Sequence, residues 1–307
     1  MTVVSMSKLH GLGNDFLVAL EEIEVEAALA SSDVRPDRAT DGDRLGRLAA
    51  AMCDRHRGIG ADGLIVARRP TSTGTVAMEL RNADGKRAET SGNGLRCFAH
   101  ALLGADAVAG SSIAVETDAG LRRCTLRAPA GASFGAATIS VEMGEIAVVE
   151  CSDEVVPEES WHGFGGSRPS EQWRAWRVDA GNPHLVLFAE SICGIDMAAV
   201  GRDLGAAVAG GQNVEVVALC ENPGEIALAV FERGVGVTLA CGTGSVAAAA
   251  ALRSAGLVPD DVVVSNPGGE VSVELSGPAA KPESVLTGPS VMVGTVSVQT
   301  DALVGMS

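Results

Sequence analysis

Two short segments, around Ser91 and around Cys241, carry the same chemical pattern. Thr90-Ser91-Gly92-Asn93-Gly94 opens one apolar, helix-like run, and Ala240-Cys241-Gly242-Thr243-Gly244 opens another. Each places a hydroxyl or a thiol before Gly, a small polar residue and a second Gly. Glycines let backbone N–H groups turn toward a ligand, and a helix start adds partial positive charge. Two such loops facing one small anion would bring two proton-carrying side chains to it. That arrangement suits the inversion of a carbon centre. The two groups differ, because a serine hydroxyl is a far weaker acid than a thiol.

The elements that must hold these loops are mostly strands. Val- and Ile-rich runs at residues 17–20, 64–67, 76–80, 112–116, 139–143, 176–178, 185–188, 213–219, 225–231, 261–265, 271–275 and 291–299 predict short strands. Helical composition is confined to about four segments, near residues 42–54, 94–103, 197–209 and 244–255. Many strands and few helices, without strict βαβ alternation, predict an α+β fold rather than a doubly wound sheet. Residues 22–44, 128–137 and 276–289 read as surface insertions or linkers, being rich in Pro, Gly, Ser, Ala or acidic residues.

The halves echo each other. Gly13-Asn14-Asp15-Phe16 stands early in the first and Gly181-Asn182-Pro183-His184 early in the second. Asn82 precedes Ser91 by the same interval as Glu232 precedes Cys241. A duplicated domain is the natural reading, with a ligand between the copies. The boundaries are expected at 1–128, completed by about 291–307, and 129–290.

Composition narrows the function classes. The chain has 307 residues, enough for two domains. Its 39 acidic side chains outnumber 23 basic ones, a net charge of −16. That argues against nucleic acid and anionic membrane surfaces as partners. Hydrophobic residues make up 46% but aromatic ones only 3%, so the core must rest on Val, Ala, Leu and Ile. Seven scattered cysteines with no Cys-x-x-Cys pair suggest neither a disulfide framework nor a zinc site, and they suit a reducing compartment. The N-terminus lacks a basic segment followed by an apolar one, so no secretory leader is expected. No apolar run is long enough to span a membrane.

Eight motifs in order carry a specific resemblance. They are Lys8-Leu9-His10-Gly11-Leu12-Gly13-Asn14-Asp15-Phe16; Asp54 to Gly63; Asn82-Ala83-Asp84-Gly85; Ser91 to Cys97; Gly181-Asn182-Pro183-His184; Asn213-Val214-Glu215; Glu232-Arg233-Gly234-Val235-Gly236; and Ala240 to Gly244. In this order they resemble the diaminopimelate epimerases, within a superfamily that also holds proline racemase, hydroxyproline epimerase and the phenazine-pathway isomerase.

The resemblance implies two pseudo-symmetric domains, each a mixed sheet wrapped around a central helix. It implies a cofactor-independent and metal-free two-base epimerase interconverting LL- and meso-2,6-diaminopimelate, in a cytoplasmic homodimer of lysine and peptidoglycan biosynthesis. Catalysis would fall to Cys241 and Ser91. Asn14, Asn82, Asn182, Asn213, Glu232 and Arg233 would bind substrate, and Gly92-Asn93 with Gly242-Thr243 would take its reacting carboxylate. Glu232 and Arg233 would read the distal ammonium and carboxylate. His10 and His184 read as structural hydrogen-bonders.

Three positions depart from the family pattern. Ser91 stands where the first cysteine is usual, Val237 where an acidic residue is usual, and Gly63 where some members carry Gln. Two alternatives follow: a related racemase, epimerase or dehydratase of the hydroxyproline type, or an amino-acid-binding homologue that has lost one base.

Overall fold

A computed structural model describes residues 3–20, 43–71, 74, 76–105, 110–128, 135–151 and 174–299. The chain divides into two compact units, Met1–Ser140 with Pro289–Ser307, and Val141–Gly288. The fold is α+β, dominated by strands.

The first unit contains β1 (Val3–Gly11), β2 (Asn14–Ala19), α1 (Arg44–Cys53), β3 (Gly63–Arg68), β4 (Val76–Asn82), β5 (Arg87–Ala88), α2 (Gly92–Gly104), β6 (Ser112–Thr117) and β7 (Gly120–Ala128). The strand β8 (Ala136–Glu145) starts in it, and β17 (Glu283–Gln299) ends in it against β1, from Val3 opposite Gln299 to His10 opposite Val291. β2 lies antiparallel to β1 and parallel to β3; β3 and β4 are antiparallel, and β4 is parallel to β6. The strands β1, β2 and β7 pack on α2, whose residues from Gly92 to Leu102 are all buried. Outside, α1 covers β3 and β4 through Leu45, Leu48, Ala49 and Met52.

The second unit repeats this plan. Its elements are β9 (Ala147–Cys151), β10 (Arg174–Asp179), β11 (Pro183–Phe188), α3 (Met197–Gly205), β12 (Asn213–Leu219), β13 (Glu225–Glu232), β14 (Gly236–Thr238), α4 (Gly242–Ser254), β15 (Asp261–Asn266) and β16 (Gly269–Ser276). β10 and β11 are antiparallel, β11 and β12 parallel, β12 and β13 antiparallel, and β13 and β15 parallel. Thus α4 occupies the place of α2, and α3 that of α1. Ala247 to Ala251 form a smooth cylinder that strands can approach on every side, and Gly242 to Leu252 are buried. A helix buried all round has no polar face to keep wet.

The four expected helices lie within a few residues of α1 to α4. Residues 22–42 fall outside the described set; Asp43 is described, and its carboxylate caps α1 by accepting from the Gly46 N–H at 2.9 Å. Of residues 128–137, 129–134 likewise fall outside. The expected linker at 276–289 is corrected. β17 begins at Glu283, with Ser284, Leu286 and Ser290 buried, and pairs with β16 from Ser276 opposite Glu283 to Ser272 opposite Thr287. Gly288 and Pro289 hide the alternation because neither contributes an apolar branched side chain.

Candidate active site

Cys241 is the N-cap of α4. Its extended backbone (φ −122°, ψ 120°) turns the side chain over the helix end, where Sγ accepts from the Gly244 N–H at 3.3 Å. Thr243 Oγ1 lies 3.4 Å from the same sulfur. The N–H groups of Gly242 and Thr243 belong to the first turn, which has no intrahelical acceptor to offer them. The side chains of Gly242, Thr243 and Gly244 are short, as an anion-binding helix start requires.

Two carboxylates border the thiol. Glu232, at the end of β13, accepts from Thr238 Oγ1 at 2.6 Å and is hydrogen-bonded by Cys241. Burial raises its carboxyl above the ordinary value, while those two hydrogen bonds pull back. Burial also pushes the Cys241 thiol well above its usual range, reinforced by the negative charges of Glu232 and Glu215, against the opposing hydrogen bonds from Thr243 and Gly244. The resting sulfur is therefore protonated, a donor with a carboxylate beside it.

Glu215, from the middle of β12, is fully buried and hydrogen-bonds His184 Nδ1 through Oε1 at 2.7 Å. His184 Nε2 in turn meets Asn182 Oδ1 at 2.9 Å. Asn213 is buried, its Oδ1 accepting from the Arg233 N–H at 2.8 Å. Arg233 Nη1 donates weakly to Gly210 O at 3.4 Å. Asn182, Asn213, Glu232, Arg233, Gly242, Thr243 and Cys241 thus gather at one end of the second unit.

In the first unit, Ser91 is the N-cap of α2 (φ −149°, ψ 119°), its Oγ accepting from the Gly94 N–H at 3.0 Å. An amide chain runs beside it. Arg96 Nη2 donates to Asn93 Oδ1 at 2.7 Å, Asn93 Nδ2 to Asn14 Oδ1 at 3.1 Å, and Asn14 Nδ2 to Asp62 Oδ2 at 2.8 Å. Asp62 and Asp15 share Arg55, and Lys8 pairs with Asp15 at 3.0 Å. Burial alone would raise the Asp15 carboxyl, but hydrogen bonds from Arg55 and Lys8 hold it below the ordinary carboxylate value. Asn82 ends β4 opposite Gly63, and its side chain has no hydrogen-bond partner among the described residues. At Gly63 an added Cβ would sit 2.8 Å from Arg81 O, so a longer side chain there requires the strands to shift.

The two units place these residues at equivalent positions. Phe16 pairs with Gly63 in one, His184 with Asn213 in the other. Asn14 therefore matches Asn182, Asn82 matches Glu232, and Ser91 matches Cys241. Sequence reasoning missed Glu215 as part of this constellation, and missed that Glu232 touches Cys241. Its signal was present only as an acid inside the apolar run of β12. Among the described residues no cluster of His, Cys, Asp or Glu could hold a metal ion, and no helix is long and apolar enough to cross a membrane. Val237, on β14, is 56% exposed and touches none of this set through a hydrogen bond.

The sequence matches the family described as Diaminopimelate epimerase over residues 6–149 and 177–293. A diaminopimelate epimerase of Rhodococcus jostii (strain RHA1) is 37% identical over 314 residues, covering 95% of this chain and 96% of that one. A diaminopimelate epimerase of Thioalkalivibrio sulfidiphilus (strain HL-EbGR7) is 33% identical over 298 residues, covering 96% and 99%. Among solved structures, a probable proline racemase from Agrobacterium radiobacter K84 with bound carbonate superposes with a TM-score of 0.69 at 16% identity, covering 96% and 93%. At that identity the likeness is one of fold.

Proposed function

The chain belongs to the diaminopimelate epimerase family, and from that membership we propose that it interconverts LL- and meso-2,6-diaminopimelate by two-base proton transfer, without a cofactor. The observation that carries the proposal is the repeated helix start, a proton-carrying N-cap above a Gly-rich first turn, at Ser91 and at Cys241. An amino-acid Cα–H is a very weak acid, so the carbanion must be stabilised by the site. Backbone N–H groups at the two helix starts would hold the reacting carboxylate, where charge develops in the transition state. Glu232 and Arg233 would meet the distal amino-acid centre, and Asn14, Asn82, Asn182 and Asn213 would orient the rest.

The proton work divides between Cys241 and Ser91. Cys241, protonated at rest, is suited to deliver a proton; after delivery, Glu232 and the α4 N-terminus bear on the thiolate with opposite sign. Ser91 stands where the family's first cysteine is usual. It is the weaker partner, and this specific substitution favours a second reading, a binding homologue with impaired turnover. The family's setting further implies a cytoplasmic homodimer serving lysine and peptidoglycan biosynthesis.

Incubating the protein with LL-diaminopimelate and resolving the isomers by chiral chromatography tests the activity. Formation of the meso isomer supports it. Turnover of hydroxyproline or proline instead, insensitive to Glu232→Ala, would move the protein to another branch of the superfamily. Diaminopimelate binding without turnover would favour the binding homologue.

A further inference from the structure

The His184–Glu215 pair is completely withdrawn from water. Both side chains are 0% exposed, with Glu215 Oε1 2.7 Å from His184 Nδ1, while Glu215 Oε2 has no hydrogen-bond partner. Burying a carboxylate with half its acceptor capacity unused is costly, and nothing in the packing demands it. The matching residues of the first unit, Ile65 and Phe16, fill the same two places with hydrocarbon. The helix even accommodates the acid. A Cβ on Gly244 would lie 2.6 Å from Glu215 Oε1, so any larger residue there must displace the carboxylate.

The hydrogen-bond roles point outward to the site. With Glu215 ionised, Nδ1 must donate. Asn182 Oδ1, a carbonyl oxygen that can only accept, lies 2.9 Å from Nε2, so Nε2 donates as well. Asn213 Nδ2 also approaches Nε2, but at 3.4 Å it is a weaker contact than the 2.9 Å one to Asn182. Satisfying both contacts at once puts an N–H on each ring nitrogen, and Glu232 is the other acid nearby. Asn182 is thereby pinned by its oxygen. Its Nδ2, which has no partner among the described residues, is left to donate.

We infer that Glu215 is a positioning residue: it keeps the His184 ring doubly protonated, and the ring fixes the Asn182 amide with its N–H groups presented to a carboxylate of the bound amino acid. The inference rests on the epimerase reading for the identity of the ligand, but not for the state of the ring.

The test combines one spectroscopic and one binding measurement. In ¹⁵N-histidine-labelled wild-type protein at pH 7.5, the His184 signals, assigned by their loss in His184→Gln, should show both ring nitrogens protonated. Glu215→Gln should leave one. The Kd for diaminopimelate should rise on the order of tenfold in Glu215→Gln, the worth of a lost polar contact of about 1.4 kcal/mol. Because Glu215 acts through Asn182, Glu215→Gln should add little to the loss already caused by Asn182→Ala. A wild-type ring with a single N–H overturns the inference, and that result needs no variant of Glu215 to fold. Fully additive losses would also overturn it, since a merely structural role predicts them. Failure of the epimerase reading is distinguishable: diaminopimelate would then not bind wild type at all. The doubly protonated ring would still be seen, and the Asn182 amide would then be probed with whichever amino acid binds.

Discussion

The two helix starts share one backbone design and differ in what lies beneath them. Under Ser91, the space behind Gly94 is filled by Ile65, and the charged residue within the first turns of α2 is Arg96, fully buried and bonded only to uncharged groups. Burial brings the Arg96 guanidinium down to about 10, still a cation at neutral pH. Under Cys241, the corresponding space holds Glu215, and the negative charge of Glu232 bears on the sulfur as well. One N-cap therefore heads a helix that carries a buried cation, and the other is bordered by two carboxylates, one of them paired with His184. Nearby positive charge favours loss of a proton, and nearby negative charge favours its retention. The second unit is built to keep a proton on its thiol, whereas the first offers a hydroxyl that yields one poorly. Equal backbone geometry gives unequal chemistry because polarity is set by side chains two strands away.

The largest expected effect comes from removing the competent group. Cys241→Ala should lower both Cα–H exchange and net epimerisation by about 10⁴-fold, the upper end of what a positioned acid/base group supplies. Circular dichroism should remain unchanged. Residual exchange near the wild-type rate would relocate the proton donor. Ser91→Cys should raise epimerisation by about 10²–10⁴-fold, since it makes the two N-caps chemically alike. If the parent is already fast and the variant no faster, the serine is competent and the asymmetry is without kinetic consequence.

Converting the second unit's support into the first's sharpens the contrast. Glu215→Ile combined with His184→Phe replaces a buried ion pair by hydrocarbon of similar volume. Such swaps are often neutral or stabilising by about 1–4 kcal/mol. Thermal unfolding should therefore show no loss of stability, while diaminopimelate binding weakens. A large drop in Tm would mean the pair is there for the fold. A smaller difference is expected between the paired glycines. Gly94→Ala brings Cβ to 3.2 Å from Ser91 Cβ, 3.3 Å from Ser91 Oγ and 3.4 Å from an Ile65 methyl, all able to give by a few tenths of an ångström, and the helix gains propensity, at most about 1 kcal/mol. Gly244→Ala drives Cβ to 2.6 Å from Glu215 Oε1 and should destabilise by more than that gain. Equal Tm shifts in the two variants would contradict the close approach.

A further effect concerns pH. Burial raises Cys53 and Cys97 to about 12, and Cys241 well above its ordinary value. In the unfolded chain these thiols ionise near about 8.5. Above that, the unfolded state releases protons that the folded state retains, so stability falls as pH rises from about 8.5 toward 12 and is fully present below it. The urea midpoint should therefore be lower at pH 9.5 than at pH 7.5; a flat profile would place these cysteines in contact with water.

How much of this was legible in the sequence depended on whether local pattern and tertiary role agreed. The loops at Ser91 and Cys241 announce themselves because the same Gly-rich pattern recurs in register; alone, a Ser-Gly pair is usually a turn. Asn14 and Asn182 stood out through repetition, and Asn213 only through the resemblance. Glu215 was not. In the run 213–219 it reads as the wet face of an alternating strand, yet β12 has α3 on one side and α4 on the other, and both its faces are buried. β1 was missed for a different reason. Its register against β17 shifts between Lys8 and Leu9, so Val4 and Met6 fall out of phase with Leu9 and the period-2 signal breaks. The segment at 283–290 was concealed by Gly288 and Pro289, whose strand placement is dictated by pairing partners distant in the chain.

The most direct measurement of the central claim is isotope exchange with each diaminopimelate isomer offered separately in D₂O, following deuterium at Cα alongside net epimerisation. The unequal N-caps predict that Cα–H exchange of one isomer outruns its epimerisation, and that Ser91→Cys brings the two rates together. Exchange and epimerisation that already match for both isomers in the parent, at a rate the thiol variant does not exceed, would contradict it.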